Sequence, residues 1–285
     1  MTDEVVRVDD LRKTYKGGVE ALRGVSFEIA RGETFALLGP NGAGKSTTIE
    51  ILEGYRDRTS GTVEVLGIDP QHGSLDWKAR LGIVLQSTGE APAASVHEQL
   101  SHFAGFYPNP RDVNEVIAAV GLTDKAKASI RKLSGGQRRR VDVALGIVGR
   151  PELLFLDEPT TGFDPEARRS FWDLIRRLQD EGTTILLTTH YLDEAAELAS
   201  RAAIINDGAV AAIGTIDELG GADARVPIVR WREGDVAHEE RTENPGALVT
   251  RLSKSGEPDR LEIIRPSLED IYLSYVGTEK QEVSA

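Results

Sequence analysis

Gly39-Pro40-Asn41-Gly42-Ala43-Gly44-Lys45-Ser46-Thr47 decides how this chain is read. The stretch fits G-x-x-x-x-G-K-[ST], the loop that cradles nucleotide phosphates. The apolar run Thr34–Leu38 reads as a buried strand leading in, and residues 46–53 read as a helix leading out. That strand–loop–helix context is what separates the motif from a chance glycine-rich turn. Glycines let the backbone curl so that successive N–H groups point at one anion. The helix N-terminus adds its partial positive charge. In such a loop Lys45 reaches the β- and γ-phosphates and Ser46 places its hydroxyl on Mg²⁺.

The 285 residues suggest about two domains, with ample length for a core. A net charge of −12 argues against a general nucleic-acid binder, which is usually basic. The chain has no cysteine, hence no disulfide and no cysteine-ligated zinc. Its acidic start, Met1-Thr2-Asp3-Glu4, lacks the apolar core of a secretory signal. No apolar run reaches the roughly 18 residues that span a bilayer, so a membrane role is expected to come through a partner.

Working outward from the loop, residues 5–8, 25–29, 62–66 and 81–85 read as strands, and the pattern turns helical over about 87–149. Strand character resumes at 153–156. A helix over 165–180, a strand at 184–188, a helix at 192–199 and a hairpin through Asn206-Asp207-Gly208 follow. Strands alternating with helices predict a mainly parallel α/β sheet covered on both faces. After Gly220-Gly221 the composition shifts to a small α+β appendage: strands at 225–232 and 260–264, a helix over 245–254, and another helix capped by Ser267. The polar tail from Gly277 is expected to fray.

Two further elements carry chemistry. Leu153-Leu154-Phe155-Leu156-Asp157-Glu158 is a central strand with two carboxylates at its carboxyl end, where ligands bind in open parallel sheets. Asp157 is placed to hold Mg²⁺ and Glu158 to polarise the attacking water. Leu133-Ser134-Gly135-Gly136-Gln137 reads as a capped helix start and also as an anion site. Together, GPNGAGKST, LSGGQ, LLFLDEP and a histidine after the strand 184–188 resemble the ATP-binding cassette (ABC) family, in that family's order and spacing, over about residues 5–219.

The resemblance implies a RecA-like P-loop NTPase core with a mainly parallel sheet, an antiparallel β subdomain and a helical subdomain inserted over about 87–149. The domains expected are 1–219 for nucleotide binding and 220–276 for the α+β appendage. By resemblance, ATP and Mg²⁺ are the cofactors. Tyr15 stacks on adenine, Gly39 through Thr47 hold the phosphates, and Gln86 senses Mg²⁺ and the γ-phosphate while linking to a transmembrane partner. Ser46, Gln86 and Asp157 hold the metal, and His190 contacts the γ-phosphate beside Glu158. Ser134, Gly135, Gly136 and Gln137 meet the ATP of a second subunit, with Ser134, Gly136 and Asp164 at the dimer interface. Where the family usually has Leu, this chain has Phe163, an apolar exchange expected to keep the role.

LSGGQRRRVDVALGIVGRP, LLTTHYLDEAAELA and PSLEDIYLSYVG are similar to the daunorubicin-resistance type of ABC ATPase. That implies a homodimer powering a separately encoded ABC-2 type permease, peripheral on the cytoplasmic face of the cell membrane, exporting a drug, antibiotic or lipid-like substrate. The alternatives are a soluble ABC ATPase on ribosome or DNA, or an importer subunit. The first normally carries two cassettes, coiled coils or zinc sites. The three arginines Arg138, Arg139 and Arg140 point to different helix faces and read as a solvated helix start. Trp77, Trp172 and Trp231 read as core or rim residues.

Overall fold

The computed structural model describes residues 3–85, 92–254 and 259–277. The chain begins with β1 (Glu4–Thr14) and β2 (Glu20–Ala30), then β3 (Thr34–Leu38) and α1 (Lys45–Leu52). Next come β4 (Ser60–Val65), α2 (Leu75–Lys78) and β5 (Leu81–Val84). A helical layer follows, of α3 (Val96–Ala104), α4 (Val113–Ala119) and α5 (Gly135–Ile147). β6 (Leu153–Asp157), α6 (Pro165–Asp180), β7 (Thr184–Thr188) and α7 (Leu192–Leu198) lead to the hairpin β8 (Arg201–Asn206) and β9 (Ala209–Thr215). The C-terminal part has β10 (Ile228–Glu233), β11 (Val236–Arg241), α8 (Pro245–Ser253), β12 (Asp259–Ile264) and α9 (Leu268–Val276).

The main sheet runs β5-β6-β7-β3-β8-β9. All its pairings are parallel except β8 with β9. Every residue of β3 and β7 is buried, as the continuous apolar runs require of strands covered on both faces. The strand period of two sorts these side chains into two cores. Ala36, Leu38, Leu154 and Leu156 face the helical layer, with Leu100, Ile117, Ala144 and Ile175. Phe35, Leu37, Leu153 and Phe155 face α1 and the antiparallel sheet β2-β1-β4, with Ile49, Leu52, Val6 and Ile29. The parallel arrangement brings the carboxyl ends of β3, β6 and β7 to one rim, and the chemistry gathers there.

The strands differ from the sequence reading where alternation fails. β1 continues past Val8 because the ladder slips between Val8 and Leu11, with Asp10 at φ 47°, a bulge that re-phases the strand. β11 is a polar edge strand, VAHEER, with no apolar run to betray it. The Asp207-Gly208 turn, with φ 48° and 74°, closes the β8–β9 hairpin as expected. At the C-terminus Val229, Trp231 and Leu248 form a small core of their own. α9 instead returns to the main body: Leu268 joins the large core, and Asn206 Nδ2 donates to the Tyr275 carbonyl at 3.2 Å. Trp77 is buried, its indole N–H donating to the Val65 carbonyl at 2.8 Å.

Candidate nucleotide-binding site

The phosphate loop joins β3 to α1. A Cβ at Gly39 would lie 2.2 Å from the Ile205 carbonyl oxygen. Gly44, at φ 108°, caps α1, and a Cβ there would meet Leu22 at 2.6 Å. Both positions therefore exclude any side chain, so the loop can lie flush against β8 and β2. Lys45, the first helical residue, is buried, and its ammonium donates to the carbonyls of Gly39 at 2.7 Å and Pro40 at 3.0 Å. Burial lowers its pKa, and the fields of Glu158 and Asp157 oppose that shift. Tyr15 and Thr47 pair hydroxyl to hydroxyl at 3.1 Å, which ties the end of the first strand to the loop.

Asp157 ends β6 half-buried, its Oδ1 accepting a bond from the Thr188 hydroxyl on β7. Burial raises its pKa, Thr188 lowers it, and Glu158 raises it further. Glu158 follows at φ 46°, a left-handed conformation uncommon for a residue with a side chain. Its N–H donates to the Thr188 carbonyl at 3.1 Å and to the Thr188 hydroxyl at 3.2 Å. The Glu158 carboxylate lies 3.5 Å from His190 Nδ1 and accepts from the Thr161 hydroxyl at 3.5 Å. Lys45, Asp157, Glu158 and His190 thus converge on one rim of the sheet. Ser46 and Asp157 line a cavity of about 530 Å³ together with Glu50 and Glu53.

Ser134 caps α5 at an exposed turn. Its hydroxyl accepts from the Gln137 N–H at 3.2 Å, and the Gln137 side-chain oxygen accepts from the Ser134 N–H at 3.1 Å, a reciprocal capping box. A Cβ at Gly136 would stand 3.7 Å from the Gly162 carbonyl, so this turn lies beside the loop that carries Phe163 and Asp164. Phe163 is buried edge-on against Phe171 at 6.0 Å. Asp164 caps α6, accepting from the Ala167 N–H at 2.8 Å. Gln86 lies outside the described residues.

Two groups escaped the sequence reading. Glu53, at the end of α1, is buried, and that burial, with Asp157 and Glu50 adding repulsion, pushes its carboxyl up to about 8. Arg139 is buried and not solvated. Its guanidinium donates to the carbonyls of Pro159 at 3.1 Å, Asp157 at 2.6 Å, Glu158 at 3.2 Å and Leu85. Desolvation lowers its pKa, opposed by the fields of Asp142, Asp157, Glu158 and Glu194. Helix phase held the signal: Arg139 lies one turn before Val143 on the inward stripe of α5. Its two neighbours differ: Arg138 is exposed and Arg140 half-buried.

A family profile described as ABC transporter matches residues 22–161. The chain is 33% identical to the daunorubicin resistance ATP-binding protein DrrA3 of Streptomyces coeruleorubidus, over 99% of this chain and 98% of that protein. It is 41% identical to the daunorubicin/doxorubicin resistance ATP-binding protein DrrA of Streptomyces peucetius, over 75% of this chain and 66% of that one. Among solved structures, an ATP-binding cassette dimer in a post-hydrolysis state bound to ADP and Pi superposes with a TM-score of 0.68 at 25% identity, over 74% of this chain and 98% of that one. The phosphate loop, the paired carboxylates and the capped Ser-Gly-Gly turn accord with these likenesses, and the chain belongs to the ATP-binding proteins of ABC transporters and is an ATPase.

Proposed function

We propose that two copies of this chain pack head to tail around two ATP molecules and power export through a separately encoded permease of the ABC-2 type. The observation that carries the reading is the convergence of Lys45, Asp157, Glu158 and His190 at the carboxyl rim of β3, β6 and β7. Residues 39–47 hold the triphosphate, Lys45 exchanging its loop carbonyls for the β- and γ-phosphates. Tyr15 supplies a ring for adenine. Ser134, Gly135, Gly136 and Gln137 of one subunit meet the ATP of the other, and Asp164 lies at the same interface. Glu158 accepts the proton of the attacking water, and His190, at its side, orients the γ-phosphate.

The residues fit a divalent cation. Ser46 and Asp157 share one cavity with Glu50 and Glu53; burial, then the charges of Asp157 and Glu50, push the Glu53 carboxyl up to about 8, and burial raises that of Asp157. Ser46 and Asp157, with Gln86, would hold Mg²⁺, which supplies charge neutralisation on the phosphates. Residues 1–219 form the nucleotide-binding unit in this reading, with 220–276 as an appendage.

Export of drugs, antibiotics or lipid-like molecules is favoured by the daunorubicin-resistance relatives. Among the described residues no helix is long and apolar enough to cross a membrane. A peripheral place on the cytoplasmic face follows if the permease is a separate chain. Exposed apolar side chains support such docking: Leu75 on α2 is 83% exposed and Phe106, after α3, is 67% exposed. They flank one cavity of about 720 Å³, and apolar patches of this kind mark interaction sites. Leu75→Glu combined with Phe106→Glu is expected to leave ATPase activity in solution unchanged. The same pair should abolish co-purification with the permease. Retention of the complex would place the docking surface elsewhere.

A further inference from the structure

We propose that Arg139 is a positioning residue that makes hydrolysis conditional on the place of the Ser134 turn, by holding the backbone that aims Glu158. The inference rests on the shared-site reading above. Arg139 lies in the second turn of α5, the helix that Ser134 caps. Its guanidinium reaches back to the main sheet and holds the carbonyls of Asp157, Glu158 and Pro159, three successive residues, together with that of Leu85 just past β5. The side chain is buried, at 7% exposure.

Glu158 is the residue that needs this support. Its φ of 46° is a conformation that persists only where the surroundings over-determine it. Thr188 pins the N–H of Glu158 from β7, and Arg139 pins its carbonyl from α5. The peptide groups on both sides of the Glu158 Cα are therefore fixed by different elements. A shift of α5 pulls on one of them and re-aims the side chain relative to His190, 3.5 Å away. In the shared site the start of α5 faces the partner's ATP, so that the same rigid helix reports closure to the residue that handles the water. Geometry also dictates arginine. A planar fork with five donors can serve carbonyls from two strand ends, while lysine presents three donors from a single point.

The test uses the 285-residue chain and four variants, Glu158→Gln alone among them. Arg139→Lys keeps the charge and loses the fork. It is expected to lower kcat about 10- to 100-fold, the cost of a misplacement near 1 Å, with ATP affinity within about twofold of wild type. Arg139→Lys on a Glu158→Gln background should still trap ATP in a closed dimer, because trapping needs the loop and the Ser134 turn but not the aim of residue 158. Arg139→Ala should regain turnover when guanidinium is added and not when sodium chloride is added at equal ionic strength. Wild-type kcat in Arg139→Lys beside an inactive Glu158→Gln overturns the proposal alone. Substantial turnover in Glu158→Gln overturns the reading of Glu158 instead. Joint loss of kcat and trapping, or failure of both Arg139 variants to fold, assigns Arg139 to packing and overturns the proposal as well.

Discussion

Glu158→Gln is expected to bind ATP as the wild type does and to lose turnover by about 10²–10⁴-fold, the usual worth of a general base. The substitution is nearly isosteric. The two hydrogen bonds from the residue 158 N–H to Thr188 and the carbonyl contact with Arg139 involve the backbone, so they survive the change. The side-chain amide can also still meet the Thr161 hydroxyl. What disappears is a carboxylate able to take a proton from water beside His190. With hydrolysis blocked and binding intact, ATP should accumulate in a closed dimer, visible as a mass shift on sizing and as bound nucleotide after desalting. Turnover above about a tenth of the wild-type rate would show that another group does this work, since general-base help is seldom so small.

Lys45→Ala is expected to stop hydrolysis and to weaken ATP binding by at least about ten- to a hundredfold, the equivalent of one charged hydrogen bond of roughly 1.5–3 kcal/mol. The ammonium is buried at the start of α1, poised on the Gly39 and Pro40 carbonyls. Transfer to phosphate exchanges two neutral acceptors for charged ones, a gain that depends on the dry setting. The thermal stability of the nucleotide-free protein is the control, because truncation also leaves the two carbonyls without their donor. Calorimetry showing unchanged affinity, together with unchanged turnover, would remove the loop from the active site.

Much of this arrangement was legible in the residues, for definable reasons. The phosphate loop is a backbone device: a Cβ at Gly39 would lie 2.2 Å from the Ile205 carbonyl oxygen and one at Gly44 2.6 Å from Leu22, so the sequence has little freedom at these two positions. The runs Thr34–Leu38 and Thr184–Thr188 read as buried strands because both faces of the sheet are covered. Where function hangs on long-range packing, local pattern says nothing. Arg139 looks like one of three surface arginines until α5 is set against β5 and β6, and only then do carbonyls from two strand ends surround it. Glu53 reads as an ordinary helical glutamate, and its raised pKa exists only because the fold buries it near Asp157. The second half of β1 hid behind a bulge, and β11 behind its polarity.

The central claim, that each ATP site is shared between two chains, is tested most directly by a mixed dimer. One subunit carries Lys45→Ala and the other Ser134→Arg, both on the Glu158→Gln background, with different tags for co-purification. Lys45 starts α1 beneath the main sheet, and Ser134 caps α5 in the helical layer. If the two meet one ATP only across the interface, the mixed dimer has one site with both lesions and one with neither. Each variant alone has a lesion in both sites. A dimer pairing a subunit with both lesions against one with neither has one lesion in each site, and should trap nothing. The account predicts one trapped ATP in the verified mixed dimer and almost none in either variant alone; a mixed dimer that traps no ATP would contradict it.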